Sequence, residues 1–297
     1  MRRHLPGLLV VLASLLATAA PASAAPALGE NGGDGAVPAI AGSRGGVEVF
    51  WWSAKRVESA LPIVPFVQFE LSPNLVLDFH VPISLIVNAQ LAVRDKPLLS
   101  LGNPTVGLTY VTTSDRLTWF IGGRLSAPLT SVSDEATWQV SNFLSAAAMT
   151  LYDLHYWVYK YLPIGARGGF EYQAKHGVFF RGELDPTVLV PLDSKAGFVG
   201  TPTRKTELFY QVRVEMEGRA DSGWGGGAAL QVVHLLTEGG AVGRDDNAQG
   251  AFEPFVSYES SGTFGRLGCL IALDTPLGLG FDKGKVAALH LTLGSHF

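Results

Sequence analysis

Residues 286–297 read Val286-Ala287-Ala288-Leu289-His290-Leu291-Thr292-Leu293-Gly294-Ser295-His296-Phe297, and this stretch decides the fold. Leu289, Leu291 and Leu293 alternate with His290, Thr292 and Gly294. A period of two marks a strand with one apolar and one polar face. Phe297 closes the stretch on the apolar side. The termini of water-soluble domains fray into solvent, where an aromatic gains nothing. In a closed barrel in a bilayer, the same residue can sit in the interfacial girdle.

Working outward, the chain from residue 46 divides into twelve segments of alternating or β-rich character. They fall at about 46–54, 63–71, 75–88, 104–113, 117–128, 165–173, 177–190, 205–217, 223–236, 249–258, 263–274 and 286–297. Most have the roughly ten residues that a tilted strand needs to cross a bilayer. Five connections are short: Ser72-Pro73-Asn74, Ser114-Asp115-Arg116, Ala174-Lys175-His176, 218–222 and 259–262. They alternate strictly with six longer ones, at 55–62, 89–103, 129–164, 191–204, 237–248 and 275–285. A transmembrane barrel predicts this, with tight turns on one side of the membrane and long loops on the other.

The faces agree. Leu208, Tyr210, Val212, Val214 and Met216 share one side of their segment, opposite Glu207, Gln211, Arg213, Glu215 and Glu217. A water-soluble sandwich would alternate in the same way. The choice between them rests on the loop asymmetry, Phe297, aromatics near strand ends such as Trp51, Trp224 and Tyr258, and an export signal. Arg2, Arg3, the apolar run from Leu8 to Leu16 and the cleavage motif Ala22-Ser23-Ala24 mark residues 1–24 as a secretory signal peptide. Residues 25–45, rich in Gly, Ala and Pro, read as a flexible periplasmic lead-in. Charged residues make up 16% of the chain, below the roughly 25% of soluble domains. The fold class is therefore all-β: a closed antiparallel transmembrane β-barrel over 46–297, with about twelve strands and fourteen as the alternative. An even strand number puts both ends in the periplasm.

Removing Arg2 and Arg3 from the 22 basic residues leaves 20 against 26 acidic, a net charge near −6. No basic excess points to nucleic acid. Cys269 is the sole cysteine, which excludes an internal disulfide and any multi-cysteine metal site. It shares its parity with Leu267, Ile271 and Leu273 and reads as a small apolar side chain on a strand.

Loop 129–164 does not alternate. Val140, Phe143, Leu144, Ala147 and Leu151 form a helical stripe, and Ser131 with Asp134 matches a capping box. Tyr152, Tyr156, Trp157, Tyr159 and Tyr161 follow. The favoured expectation is a helix packed on the barrel rim; the competing one is a loop folded into the lumen. A strand over 151–162 would open the way to fourteen strands.

Parity turns Glu48, Gln68, Glu70, Asp78, His80, Arg124, Arg167, Glu171, Arg181, Glu183, Asp185, Glu207, Arg213, Glu215, Arg266, His290 and His296 toward the lumen. Facing lipid at mid-depth would cost each Arg or Glu a few kcal/mol. Such residues either brace the wall by pairing across strands or line a water-filled path. Twelve strands lie between the filled interior of eight and the open channel of sixteen. No catalytic constellation emerges. His290 and His296 share a face but lie about 20 Å apart along one strand, and HExxH, GxSxG and GxxxxGK[ST] are absent. His234 is the one candidate for a lipid-modifying site on the outer wall. The sequence implies no cofactor and no metal.

Residues 286–297 resemble the closing strand of bacterial outer-membrane β-barrels, which alternates apolar residues and ends in Phe. That resemblance implies a membrane-insertion signal at Leu289, Leu291, Leu293 and Phe297, read by the barrel assembly machinery, and an outer-membrane lipid environment. The stretch Leu71-Ser72-Pro73-Asn74-Leu75, Asp78 to Ile83 and Leu101-Gly102-Asn103-Pro104-Thr105-Val106-Gly107-Leu108-Thr109-Tyr110 resembles the opening of transporter-type outer-membrane barrels. These include the group linked to degradation of aromatic compounds. That group often carries Asp where this chain has Asn103. The resemblance implies uptake of small, apolar solutes and transfers no site residue. The expected function is a passive channel or transporter for small molecules. A structural or assembly barrel with a plugged lumen is the alternative, and a lipid-modifying enzyme the third reading.

Overall fold

The computed structural model describes residues 42–53, 59–87, 98–130, 135–193, 196–198, 201–202, 205–237, 247–273 and 287–297. The export signal with Ala22 and Ala24, most of the lead-in and the Ser131–Asp134 cap lie outside them. In chain order the strands are β1 (Arg44–Ser53), β2 (Ser59–Ser72), β3 (Leu75–His80), β4 (Ile83–Val87), β5 (Leu98–Leu101), β6 (Thr105–Ser114) and β7 (Leu117–Ser126). Helix α1 (Glu135–Ala148) follows. Then come β8 (Tyr161–Gln173), β9 (Val178–Pro191), the two-residue pair β10 (Gly197–Phe198) and β11 (Thr201–Pro202), β12 (Glu207–Arg219), β13 (Trp224–Leu235), β14 (Ala248–Glu259), β15 (Thr263–Ala272) and β16 (Ala287–His296).

Twelve of these close into one antiparallel circuit, β1-β2-β3-β6-β7-β8-β9-β12-β13-β14-β15-β16 and back to β1. The closing seam runs from Arg44 opposite His296 to Trp52 opposite Ala288. Closure leaves no unpaired edge, which hydrocarbon would penalise because it offers backbone groups no water. Strands follow the chain order because five tight turns join neighbours. Asp115 (φ 51°) and Gly223 (φ 85°) supply the left-handed conformations for two of them.

Side chains are distributed inside out. Ile121 (67% exposed), Leu267, Leu289, Leu293 and Phe297 face outward, while Gln211, Asp185, Glu253 and Glu171 are buried on the lumen side. Phe297 meets Phe69 edge-on at 6.0 Å on the outer surface, and Trp224 lies 5.2 Å from Tyr258 at the short-turn end. Leu291, Val212 and Phe79 do not share a dry centre, and the sandwich reading falls.

Two details differ from expectation. The segment expected at 75–88 is broken at Val81-Pro82 into β3 and β4, because Pro82 has no N–H for the ladder. The connection expected at 89–103 contains β5, which pairs with β4. These two short strands extend the wall past the twelve-strand circuit on the long-loop side rather than joining it. The alternative of fourteen barrel strands is corrected accordingly. Residues 154–156 form a single 3-10 turn, and β8 begins only at Tyr161.

Candidate functional site in the barrel lumen

The connection after β7 does not sit on the rim. It enters the barrel. Helix α1 lies against β2, β4, β5 and β1. Leu144, Ala147, Ala148, Met149, Leu151, Leu154 and Trp157 are buried among inward-facing residues of the wall: Phe50, Trp52, Val64, Leu189, Phe209, Val233, Ala251, Leu270 and Ala288. These partners come from eight of the twelve circuit strands, β1, β2, β9 and β12 to β16, and Tyr161 of β8 joins the same cluster at the long-loop end of the lumen. The rim expectation is corrected for a physical reason. The wall at that height is apolar on its inner face, and only an apolar segment of the same chain covers it.

Polar contacts seat this plug. Asn103 donates from Nδ2 to the carbonyls of His155 (3.0 Å) and Val158 (2.9 Å), and its backbone N–H bonds Tyr156 O at 2.7 Å. Ser145 Oγ bonds Ser84 Oγ at 2.6 Å. Asp153 is gripped by Gln211, whose Nε2 donates to its carboxylate (2.9 Å) and whose Oε1 accepts its backbone N–H (2.9 Å). Arg124 lies 3.5 Å from the same carboxylate and 2.6 Å from Asp185. Gln231 Nε2 donates to Thr150 Oγ1 at 2.5 Å. The backbone of this segment is strained: Thr150, Leu151, Asp153 and Lys160 all have φ between 52° and 63°. Each such non-glycine residue costs on the order of 1–3 kcal/mol, which packing must offset.

His155 is fully buried in the plug, with its Nδ1 3.9 Å from Asp153. Neither ring nitrogen has a hydrogen-bond partner among the described residues. Burial, then the nearby charges of Arg124 and His80, hold its pKa well below the ordinary histidine value, so the ring is neutral. Burial likewise pushes the Tyr152 and Tyr156 phenols up.

Below the plug the lumen is hollow and charged. A cavity of about 350 Å³ runs from Met149, Tyr152, Asp153, His155 and Tyr156 down to Arg44, Glu259 and Phe264 near the short turns. Among the described residues, seven arginines and eight carboxylates line it. Glu215 and Glu253 bridge Arg213 and Arg266 at 2.6–3.2 Å. Arg181 reaches Glu171 (2.5 Å), Glu215 (2.6 Å) and Glu217 (2.8 Å). Arg167 lies 3.4 Å from Glu183 and 3.8 Å from Asp78, which also meets His80 at 3.3 Å. His290 contacts Glu253 at 2.7 Å. Neighbouring strands make room: a Cβ on Gly107 would come within 2.6 Å of both Asp78 carboxylate oxygens.

The structure thus brings Asp78, His80, Arg124, Arg167, Glu171, Arg181, Glu183, Asp185, Arg213, Glu215, Arg266 and His290 into one network or its immediate border. Glu171, Asp185 and His296 do not line the cavity but stand at its border, ion-paired to the lining residues Arg181, Arg124 and Glu259, and two residues lie away from it. Glu70 is exposed at the short-turn end of β2, and Glu207 is buried at the long-loop end, hydrogen-bonded by Thr237. The sequence reading missed Arg44, which lies inside the stretch read as lead-in, and it missed Glu253, Gln231 and Asp153; parity put Glu217 and Gln211 on the polar face of their segment without naming them as lumen-lining. Phe209 was the available signal. It is an apolar residue at polar parity in β12, and it is fully buried in the plug cluster. His234 does lie on the outer wall, but its Nδ1 pairs with Tyr210 Oη at 3.0 Å. Among the described residues, no group of three His, Cys, Asp or Glu side chains could hold a metal ion.

No family model matches this chain, and no curated protein sequence matches it. Its fold is similar to solved structures. The COG4313 outer membrane channel from Pseudomonas putida F1 aligns with a TM-score of 0.56 at 11% identity, over 90% of this chain and 99% of that one. The NanC porin aligns with a TM-score of 0.53 at 8% identity, over 85% of this chain and 98% of that one. The likeness is one of fold: a closed twelve-strand antiparallel barrel of the outer-membrane, porin-like kind.

Proposed function

We propose that this protein is an outer-membrane channel for small solutes, inserted with both chain ends on the periplasmic side and its long loops outside. Outer-membrane lipid and the barrel assembly machinery, acting on Leu289, Leu291, Leu293 and Phe297, are its partners in this reading. The observation that carries it is the two-part lumen. A water-accessible, charge-lined cavity lies under a plug that is formed by a single connection and held by a few polar contacts. The likeness in fold to an outer membrane channel and a porin supports the same reading. A permanently plugged structural barrel is the second reading, favoured by the breadth of the apolar cluster.

The test is planar-bilayer conductance, with liposome swelling, of the purified protein and of a variant whose residues 135–158 are replaced by a short Gly-Ser linker. A shift on a cold detergent gel before and after boiling establishes that both are folded. The channel reading expects larger, more frequent steps and faster swelling from the linker variant. Silence from both folded proteins would leave the plugged barrel standing.

A further inference from the structure

Matching each charged side chain of the cavity to its neighbours leaves two over. Among the described residues, six of the seven arginines lie within 4.0 Å of a carboxylate and Arg44 does not. Its Nε donates to Gln68 Oε1 at 3.3 Å, and its guanidinium lies 6.0 and 5.6 Å from the rings of Phe66 and Phe264. Seven of the eight carboxylates meet an arginine. Glu48, half-buried and facing the cavity, has neither ion pair nor hydrogen bond among the described residues.

Both unpaired charges stand on the inward face of β1, four residues and about 13 Å apart along the strand. Arg44 is opposite Gln68 and His296, and Glu48 opposite Val64 and Thr292. The row between them consists of Gly46 with Phe66 and Gly294 as its partners. A Cβ on Gly46 would come within 3.0 Å of the Phe66 ring, and one on Gly294 would run into the Phe264 ring. The two glycines therefore leave room for two phenyl rings, 6.3 Å apart, to fold over the wall. Beyond Glu48, Phe50 stacks on His290 at 4.2 Å. A cation, an apolar pad and a carboxylate follow one another up the wall. Among the described residues neither Arg44 nor Glu48 is in an ion pair, although every other arginine and carboxylate lining the cavity is.

We propose that this face of β1 binds an amphoteric small molecule: its anionic end on Arg44 near the short-turn mouth, its apolar middle on Phe66 and Phe264, its cationic end on Glu48. Allowing for the reach of the two side chains, the ligand's charges lie about 4–10 Å apart. ω-Amino acids and their cyclic analogues have that span. The proposal rests on the lumen being a solute path and narrows what travels along it.

The test is titration calorimetry on the full, folded barrel in detergent with 6-aminohexanoate and 4-(aminomethyl)benzoate. Hexanoate and hexylamine are the single-charge controls. Amphoteric probes should bind, with each control weaker by about tenfold or more. Arg44→Gln and Glu48→Gln should each lower affinity to the level of the controls, and Arg44→Glu combined with Glu48→Arg should restore it with the ligand reversed. A bracing role for either residue would not be rescued by exchange. Equal binding of amphoteric and single-charge probes, no binding, or no recovery in the exchanged variant overturns the proposal. Conductance without amphoteric binding sinks this inference alone, whereas binding without conductance spares it and sinks the channel.

Discussion

The two halves of the lumen share one circumference, one set of strands and one parity, yet one is filled and dry while the other is hollow and charged. The change runs up individual strands. On the inward face of β12, Glu217, Glu215 and Arg213 give way to Gln211 and then Phe209. On β1, Arg44 and Glu48 give way to Phe50 and Trp52, and on β14, Ser257 and Glu253 to Ala251. A barrel's interior is thus not one environment. Residue choice at each height decides whether water or the chain itself fills it. Where the wall is apolar, a plug is stabilised by burial. Where it is charged, the ion pairs brace one another and leave space between them.

The comparison can be broken hardest in the charged half. Glu253 is buried and meets Arg213, Arg266 and His290. Glu253→Leu leaves two arginines leaning on Glu215 alone, and should cost about 3–5 kcal/mol. Urea unfolding in lipid, followed by gel shift, should show the loss with the plug still seated. In the filled half, Leu151 is fully buried on a strained backbone. Leu151→Ala should weaken plug docking by about 2–5 kcal/mol while far-UV circular dichroism of the wall stays unchanged. Open probability in bilayers should rise. If wall and plug melt together in both variants, the halves are a single unit and the contrast fails.

Acid gives the smallest and most graded effect. His155 has a folded-state pKa below its unfolded value near 6.5. The undocked plug therefore takes up the proton first. Docking is at full strength above about pH 6.5 and weakens as pH falls through that value toward the lower, docked pKa. The slope is at most about 1.4 kcal/mol per pH unit. Channel opening should therefore increase below pH 6.5, and His155→Phe should flatten the profile. An unchanged profile in that variant would assign the response to another group.

Much of this molecule was legible in advance. The segments read at 117–128, 177–190 and 263–274 from period-two alternation punctuated by turn residues fall within two residues of the strands at 117–126, 178–191 and 263–272, and the outward face follows from the same parity. The break at Val81-Pro82 was open to view in Pro82 itself. What the alternation concealed was the second apolar set: Phe209, Phe50 and Trp52 sit at positions of polar parity, and reading faces by their majority discards them. The plug was read as a helix, and α1 is one. Its destination depended on those discarded residues.

By itself the sequence determined which strand faces turn outward and that an even number of strands, about twelve, closes the wall, because alternation and turn chemistry are local properties carried by neighbours in the chain. Only the tertiary structure decided which charges pair, where the plug lies, and that Arg44 and Glu48 have no ion-pair partner among the described residues. Those outcomes depend on register across strands far apart in sequence, such as Glu215 with Arg181 and Arg266, and one residue of slip would change them all.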